Sequence, residues 1–227
     1  MNLSERLSSV RKRISDATET AGRPEGCVKL LAVSKRKPAG DIRAAYEAGQ
    51  RDFGENYVQE LREKQEALED LKDLRWHMIG QLQRNKIKYI SGWIDSLHTV
   101  DSLRLTETLL QRLETSPRDR LLRAMVEVNV SGEDSKSGCR PDELGAILRA
   151  AENSSQLSLC GLMTVPPRAE DPQAARPQFD RLRDLRDEHG GVETLPELSI
   201  GMSRDLEVAI AAGATWVRIG SAIFGER

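Results

Sequence analysis

The residues best suited to chemistry are Lys35, Arg218 and two short runs of small polar residues, SIGMSRD (199–205) and RIGSAIFG (218–225). Lys35 directly follows the apolar run LLAVS. Its stem therefore starts inside a packed wall while its amine reaches the open end. Partial desolvation lowers a lysine pKa and favours the neutral amine, which adds to an aldehyde to give an imine. Lys37 is a neighbouring cation that pushes the same way. The plainer alternative is a surface lysine in a turn ahead of Pro38. Arg218 lies in WVRIG, where an aliphatic residue would be routine, and a buried arginine needs partners. Both a structural ion pair and a ligand contact meet that need. The runs SIGMS and RIGS suit a phosphate held by backbone N–H groups at a helix start. Taken singly, each also reads as a tight turn with a cap residue, Ser203 being placed to cap the next helix.

These groups need a scaffold, and the chain supplies an alternation. Residues 3–20 carry Leu3, Leu7, Val10, Ile14 and Ala17 at helical spacing, which predicts one helix with a buried stripe. Eight apolar runs of strand length follow: VKLLAVS (28–34), RDFGE (51–55), RWHMIG (75–80), IDSLHTV (94–100), RAMVEVNV (123–130), LSLCGLMTV (157–165), PELSI (196–200) and TWVRIG (215–220). Helical patterns such as AGDIRAAYEAG, LRLTETLLQRL, PDELGAILRAAE, FDRLRDLRDEH and DLEVAIAAGA lie between them. Near-continuous apolar strands separated by amphipathic helices imply a parallel sheet covered by helices. The pattern predicts an α/β fold, a single (β/α)8 TIM-type barrel with an extra N-terminal helix, spanning 1–227 as one domain. An open doubly wound sheet is the competing closure. The segment VPPRAEDPQAARP (165–177) reads as a long loop after the sixth strand, and GENYVQELREK beyond Asn56 as a solvated helix.

In such a barrel the chemistry gathers at the C-terminal ends of the strands. Those ends carry Ser34-Lys35, Glu55-Asn56, Gly80-Gln81, His98-Thr99, Asn129 to Ser131, Met163-Thr164, Ser199 to Ser203 and Arg218 to Ser221. The opposite turns hold ordinary breakers such as Ala48-Gly49 and Ala212-Gly213. The asymmetry points to one site on one face, and the loops after strands seven and eight are where barrels often hold phosphate.

Composition narrows the function classes. Thirty-four basic and 36 acidic residues leave a net charge of -2, so no global field favours nucleic acid or an anionic membrane. The sequence has no apolar run of membrane-spanning length, and its N-terminus is amphipathic rather than a secretion signal. Cys27, Cys139 and Cys160 form no CxxC pair, and a reducing cytoplasm is the expected compartment. Cys160, within LSLCGLM, reads as core. His77, His98 and His189 lack metal-ligand spacing, so no metal is expected.

The motifs LLAVSKRKP, FGENYVQE, WHMIGQLQRNK, HTVDS, VNVSGEDSKSG, GLMTV and LSIGMSRDLEVAIAAGATWVRIGSAIFG occur in that order over essentially the whole chain. Together they resemble the pyridoxal-phosphate homeostasis proteins (the YggS/PROSC/PLPBP family). The resemblance implies a barrel like the N-terminal domain of alanine racemase, with pyridoxal 5'-phosphate (PLP) as a Schiff base on the lysine of AVSK, here Lys35. It puts the phosphate against Ser199, Gly201, Met202, Ser203, Gly220 and Ser221, and brings Arg218 to the pyridine nitrogen. Asn56 lies near the ring, with His77, Met163 and Lys136 at the same mouth. Ser221 stands where many members have threonine, and the chain stops soon after FGER, shorter than many members. An arginine at the ring nitrogen discourages its protonation and weakens the ring as an electron sink.

The implied function is therefore a PLP-binding protein acting in vitamin B6 homeostasis and cofactor supply, without turnover of its own. Apo-enzymes that use PLP are the expected recipients, and the expected state is a monomer or weak dimer. The alternative is an amino-acid racemase or related PLP enzyme. Racemisation needs a base on each face of the reacting carbon. The resembled racemases take the second base from a further β-rich domain of a partner subunit, for which this chain has no room.

Overall fold

In the computed structural model, residues 2–116, 118–133, 136–167 and 169–225 are described. Eight parallel strands close in sequence order: β1 (Lys29–Val33), β2 (Asp52–Glu55), β3 (Arg75–Met78), β4 (Ser96–Val100), β5 (Leu122–Glu127), β6 (Leu157–Met163), β7 (Glu197–Ser199) and β8 (Trp216–Ile219). The ring shuts where β1 pairs with β8, setting Leu31 opposite Arg218. Seven strands fall inside an apolar run marked in the sequence and β5 begins one residue ahead of its run, and closure excludes the open sheet.

The helices that cover the wall are α1 (Leu3–Thr20), α2 (Ala39–Glu47), α3 (Val58–Ala67), α4 (Leu103–Thr115), α5 (Leu144–Ala151), α6 (Arg176–Glu188), the single turn α7 (Gly191–Thr194), α8 (Leu206–Ala211) and α9 (Ser221–Phe224). Between β3 and β4 a 3-10 turn, Arg84–Tyr89, takes the covering place. α1 starts with a capping box, in which the Asn2 side chain accepts from Glu5 N–H and the Glu5 carboxylate accepts from Asn2 N–H. Its buried stripe, Leu7, Val10, Ile14 and Thr18, packs on α8, α9 and α2. Among the described residues no helix is long and apolar enough to cross a membrane.

Most of the apolar core lies between strands and helices, Cys160 among the buried residues. A second, small cluster joins Leu31, Met125, Met163 and Trp216. These come from β1, β5, β6 and β8, and strands so far apart can touch only across the lumen. Glu197 of β7 likewise reaches Lys29 of β1 and Arg123 of β5 at the N-terminal rim. The lumen is thus filled with side chains and is no channel. Cavities open at both of its ends.

Candidate functional site

At the C-terminal mouth is a cavity of about 610 Å³, lined among others by Lys35, Lys37, Asn56, Lys136, Met202, Ser203, Arg204, Arg218, Gly220 and Ser221. The sequence pattern brings these residues together from the ends of β1, β2, β7 and β8 and the segment after β5. The Pro-rich segment after β6 forms one side through Val165, Pro166, Pro167 and Pro172, and it includes a 3-10 turn at Pro172–Ala175.

Lys35 sits in a tight turn that the rest of the structure holds in place. Lys37 N–H donates to Ser34 O at 3.0 Å, and Arg36 takes a left-handed conformation with φ of 60°. That conformation costs a β-carbon-bearing residue about 1–2 kcal/mol, so something must hold it. Arg36 N–H donates to the Glu60 carboxylate. Lys64, on α3, donates to Ser34 O at 2.7 Å, to Glu55 Oε1 at 2.7 Å and to Glu60 Oε1 at 2.6 Å. Ser34 Oγ adds a 2.6 Å bond to Glu55 Oε1. Lys64 is only 6% exposed, so α3 beyond Asn56 is not the fully solvated helix expected. Burial raises the Glu55 pKa, while Lys64 and Ser34 act against that rise. The signal missed was spacing, since Lys64 lies three residues after buried Leu61 on the same face.

Arg218 is 5% exposed and projects from β8 to the cavity floor. Its guanidinium donates to Ser199 O, to Ser199 Oγ at 2.9 Å and to Thr164 O at 3.0 Å. A guanidinium has five N–H donors, so donors remain for a ligand. Burial lowers its pKa to about 10, and Glu127 and Asp205 act in the opposite direction. It is still a cation at neutral pH. Of the two readings of this arginine, an internal ion pair is not what holds it, because its direct partners are neutral oxygens.

The loops after β7 and β8 meet at the same place. Ser203 Oγ and Ser221 Oγ are 3.4 Å apart, and α9 begins at Ser221. The first N–H groups of a helix have no intrahelical acceptor and face outward. Gly201 has φ of +91°, and a β-carbon there would come within 2.5 Å of Ala209 Cβ. Only glycine allows that approach. Ser203 does not cap α8, whose N-cap is Asp205; the Asp205 carboxylate instead accepts from Met202 N–H and closes the turn.

Asn56 supplies a further feature. Its Oδ1 is buried with no hydrogen-bond partner among the described residues, and the residue lines both the mouth cavity and a neighbouring one of about 690 Å³. Gly80 lets its strand pass Asn56, since a β-carbon there would lie 2.1 Å from Asn56 O.

Three residues expected at the mouth stand elsewhere. His77 is 3% exposed in the lumen, bonded to His98 and Asp52. Met163 belongs to the lumen cluster, and Ser199 lies under Arg218, fully buried. Their side chains point inward, but a layer below the rim. Gly201 contributes its backbone, its carbonyl accepting from Arg218 N–H at 2.9 Å.

A barrel of this topology with a lysine after β1 and an arginine on β8 defines a class. A family model described as alanine racemase, N-terminal domain, matches residues 6–227. Alanine racemase from Corynebacterium glutamicum shares the fold at 19% identity, with a TM-score of 0.63 over 97% of this chain and 62% of that one. The nearer likeness is to a smaller set. The pyridoxal phosphate homeostasis protein of Aquifex aeolicus is 46% identical over 229 residues, covering 100% of this chain and 99% of that protein. That of Escherichia coli K12 is 42% identical over 233 residues, covering 100% and 97%. Among solved structures, PipY of Synechococcus elongatus with PLP bound is 36% identical with a TM-score of 0.85, covering 99% of this chain and 100% of that one. The chain belongs to the pyridoxal phosphate homeostasis protein family.

Proposed function

We propose that this chain binds PLP in the mouth cavity as a Schiff base on Lys35, and serves vitamin B6 homeostasis as a carrier that supplies apo-enzymes without turnover of its own. The observation that carries this is the meeting of Lys35, Arg218, Ser203 and Ser221 in one cavity. The residues fit the group. Lys35, Lys37, Lys136, Arg204 and Arg218 outnumber Asp171 and Asp205 in the lining, which suits a phosphate dianion. The volume lies within the range of small-ligand sites, and the orphaned Asn56 Oδ1 awaits a donor.

When bound, the cofactor supplies an aldehyde that condenses with a primary amine, releasing water. Lys35 Nζ would be the amine that meets it. Ser203, Ser221 and the N–H groups of their loops would hold the phosphate. The remaining donors of Arg218 would serve the ring nitrogen, as the family resemblance implies, and a fixed cation there would disfavour its protonation and so disfavour carbanion chemistry. Met202 and the Pro-rich segment cover the mouth with apolar surface, which slows loss of the ligand to water. The relatives named for PLP homeostasis and PLP-bound PipY support the same reading.

The purified protein is expected to absorb at about 420 nm, with borohydride trapping the label on the Lys35 peptide. A Lys35→Ala variant that keeps the band unchanged would refute the assignment. Incubation with L-amino acids in deuterated water separates carrier from enzyme. Exchange at the α-position at a useful rate would defeat the carrier reading in favour of a racemase.

A further inference from the structure

Beneath Arg218 a line of buried polar side chains runs down the barrel lumen. Arg218 Nη1 donates to Ser199 Oγ at 2.9 Å, and that oxygen lies 2.9 Å from His98 Nδ1. His98 Nε2 is 3.0 Å from His77 Nδ1, and His77 Nε2 is 3.0 Å from Asp52 Oδ1. Asp52, the first residue of β2, also accepts from Arg75 Nε at 2.7 Å and Nη2 at 2.6 Å. Asp52 and Arg75 line a cavity at the other end of the barrel. Trp216 packs against both imidazoles, with ring centroids at 5.0 and 6.1 Å.

Only one direction of donation satisfies every atom of this line. Bonds from Arg75 and His77 outweigh burial and hold Asp52 at a pKa of about 2, so it is an acceptor only. His77 must then carry a proton on Nε2. Burial, with the charge of Arg218 nearby, drives the His98 pKa well below 6.5, so His98 is neutral and has one N–H. Ser199 Oγ already accepts from Arg218, and its own hydrogen needs an acceptor, which His98 Nδ1 provides. The His98 proton is therefore on Nε2 and is donated to His77 Nδ1. Each bond donates away from the guanidinium and toward the carboxylate, the order that the charges at the two ends favour. In the reverse order the Ser199 hydroxyl hydrogen would lose its acceptor at a fully buried site.

We propose that Asp52, His77, His98 and Ser199 are positioning residues for Arg218, and that Asp52, at the far end of the barrel, sets the direction of the whole line. The Ser199 hydroxyl is turned away from Arg218 and leaves it a lone pair. The guanidinium is thereby fixed with its remaining donors toward the cavity. This rests on the reading of Arg218 as the contact to the PLP ring nitrogen.

The test begins with 15N NMR of the imidazole nitrogens in the ligand-free protein. The expected result is the Nε2–H tautomer on both His77 and His98. A His98 protonated on Nδ1 overturns the proposal without any variant. Asp52→Ala is then expected to shift the His98 nitrogens and, in the PLP-loaded protein, to displace the absorbance maximum of the lysine-linked band. In a Ser199→Ala background, Asp52→Ala should no longer move that band. Arg123→Gln removes a different ion pair at the same rim, that to Glu197, and leaves every bond of the line intact, so it should leave band and tautomers unchanged. If Arg123→Gln shifts the band as Asp52→Ala does, Asp52 acts through general rim stability and the proposal fails. Lack of any band trapped on Lys35 would undo the cofactor reading alone, because the ligand-free imidazole signals judge the line separately.

Discussion

Asn56 Oδ1 is a buried acceptor with no partner among the described residues, and such an atom costs a protein about 1–3 kcal/mol. A folded chain keeps that cost where a ligand donor relieves it. Asn56→Leu, which keeps the branched shape and has the open cavity beside it to take its larger volume, is therefore expected to stabilise the ligand-free protein by about 1 kcal/mol, a rise in melting temperature of about 2–4 °C for a chain of this size. The same variant should retain less PLP after dialysis, read from the trapped Lys35 peptide. Calorimetry that finds the ligand-free variant less stable would show that the atom has a partner in solution. At this scale the sequence was legible where motif and strand end coincide, as for Lys35, Asn56 and Arg218. It misled for His77. Alternation says whether a barrel residue points inward, but not how far below the rim its side chain stops.

Every strand was legible from apolar runs because most positions of a sheet buried on both faces are apolar, and the polar exceptions, such as His77, His98 and Arg218, sit singly among them. What hid was the cooperation between elements. α3 carries Glu60 and Lys64 one turn apart, and both reach back to the turn that presents Lys35. Spacing from buried Leu61 marks the face on which Lys64 lies, but its destination, Glu55, lies on another element and cannot be read from the helix alone. Lys64→Met would leave Glu55 buried without its cation, a change that costs about 3–5 kcal/mol when a buried pair is broken. Urea unfolding should register a loss near the lower end, because Glu55 can take up a proton. Glu55→Gln in the same chain should restore much of it, and borohydride labelling at Lys35 should recover less than stability does. Equal recovery of both would mean that Lys64 supports the fold without holding the turn. Gly201→Ala tests the opposite loop. A φ of +91° and a 2.5 Å approach to Ala209 Cβ predict a loss of about 2 kcal/mol or more.

Across the whole molecule the two ends of the barrel carry opposite electrostatic designs. At the N-terminal rim charges are matched, Lys29 and Arg123 on Glu197 and Arg75 on Asp52. At the C-terminal mouth, cations gather for an anion that is not part of the chain, and carboxyls are buried. Stability should therefore depend on pH in two senses. Asp52 falls from 3.8 to about 2 on folding, so its contribution is complete above pH 4 and is lost as pH falls toward 2. Discounted for partial contact with solvent, that is about 1–2 kcal/mol. Glu127, whose Oε2 has no partner among the described residues, rises from 4.5 to about 7 because burial penalises its charge, against the pull of Arg218. The folded state binds that proton more tightly than the unfolded chain does. Stability is thus lost as pH rises from about 4.5 to 7, by about 3 kcal/mol, and Glu55 is shifted in the same direction. Urea midpoints of the ligand-free protein between pH 2.5 and 8 should peak near pH 4–5 from these groups. Asp52→Asn should flatten the acid limb only, and Glu127→Gln the alkaline limb only. If Glu127→Gln gains no stability at pH 8 relative to pH 5, the carboxyl ionises freely and the mouth is wetter than its packing implies. Bound PLP should raise the urea midpoint at each pH by mass action, so the loaded protein should lie above the empty one across the range in which the latter declines.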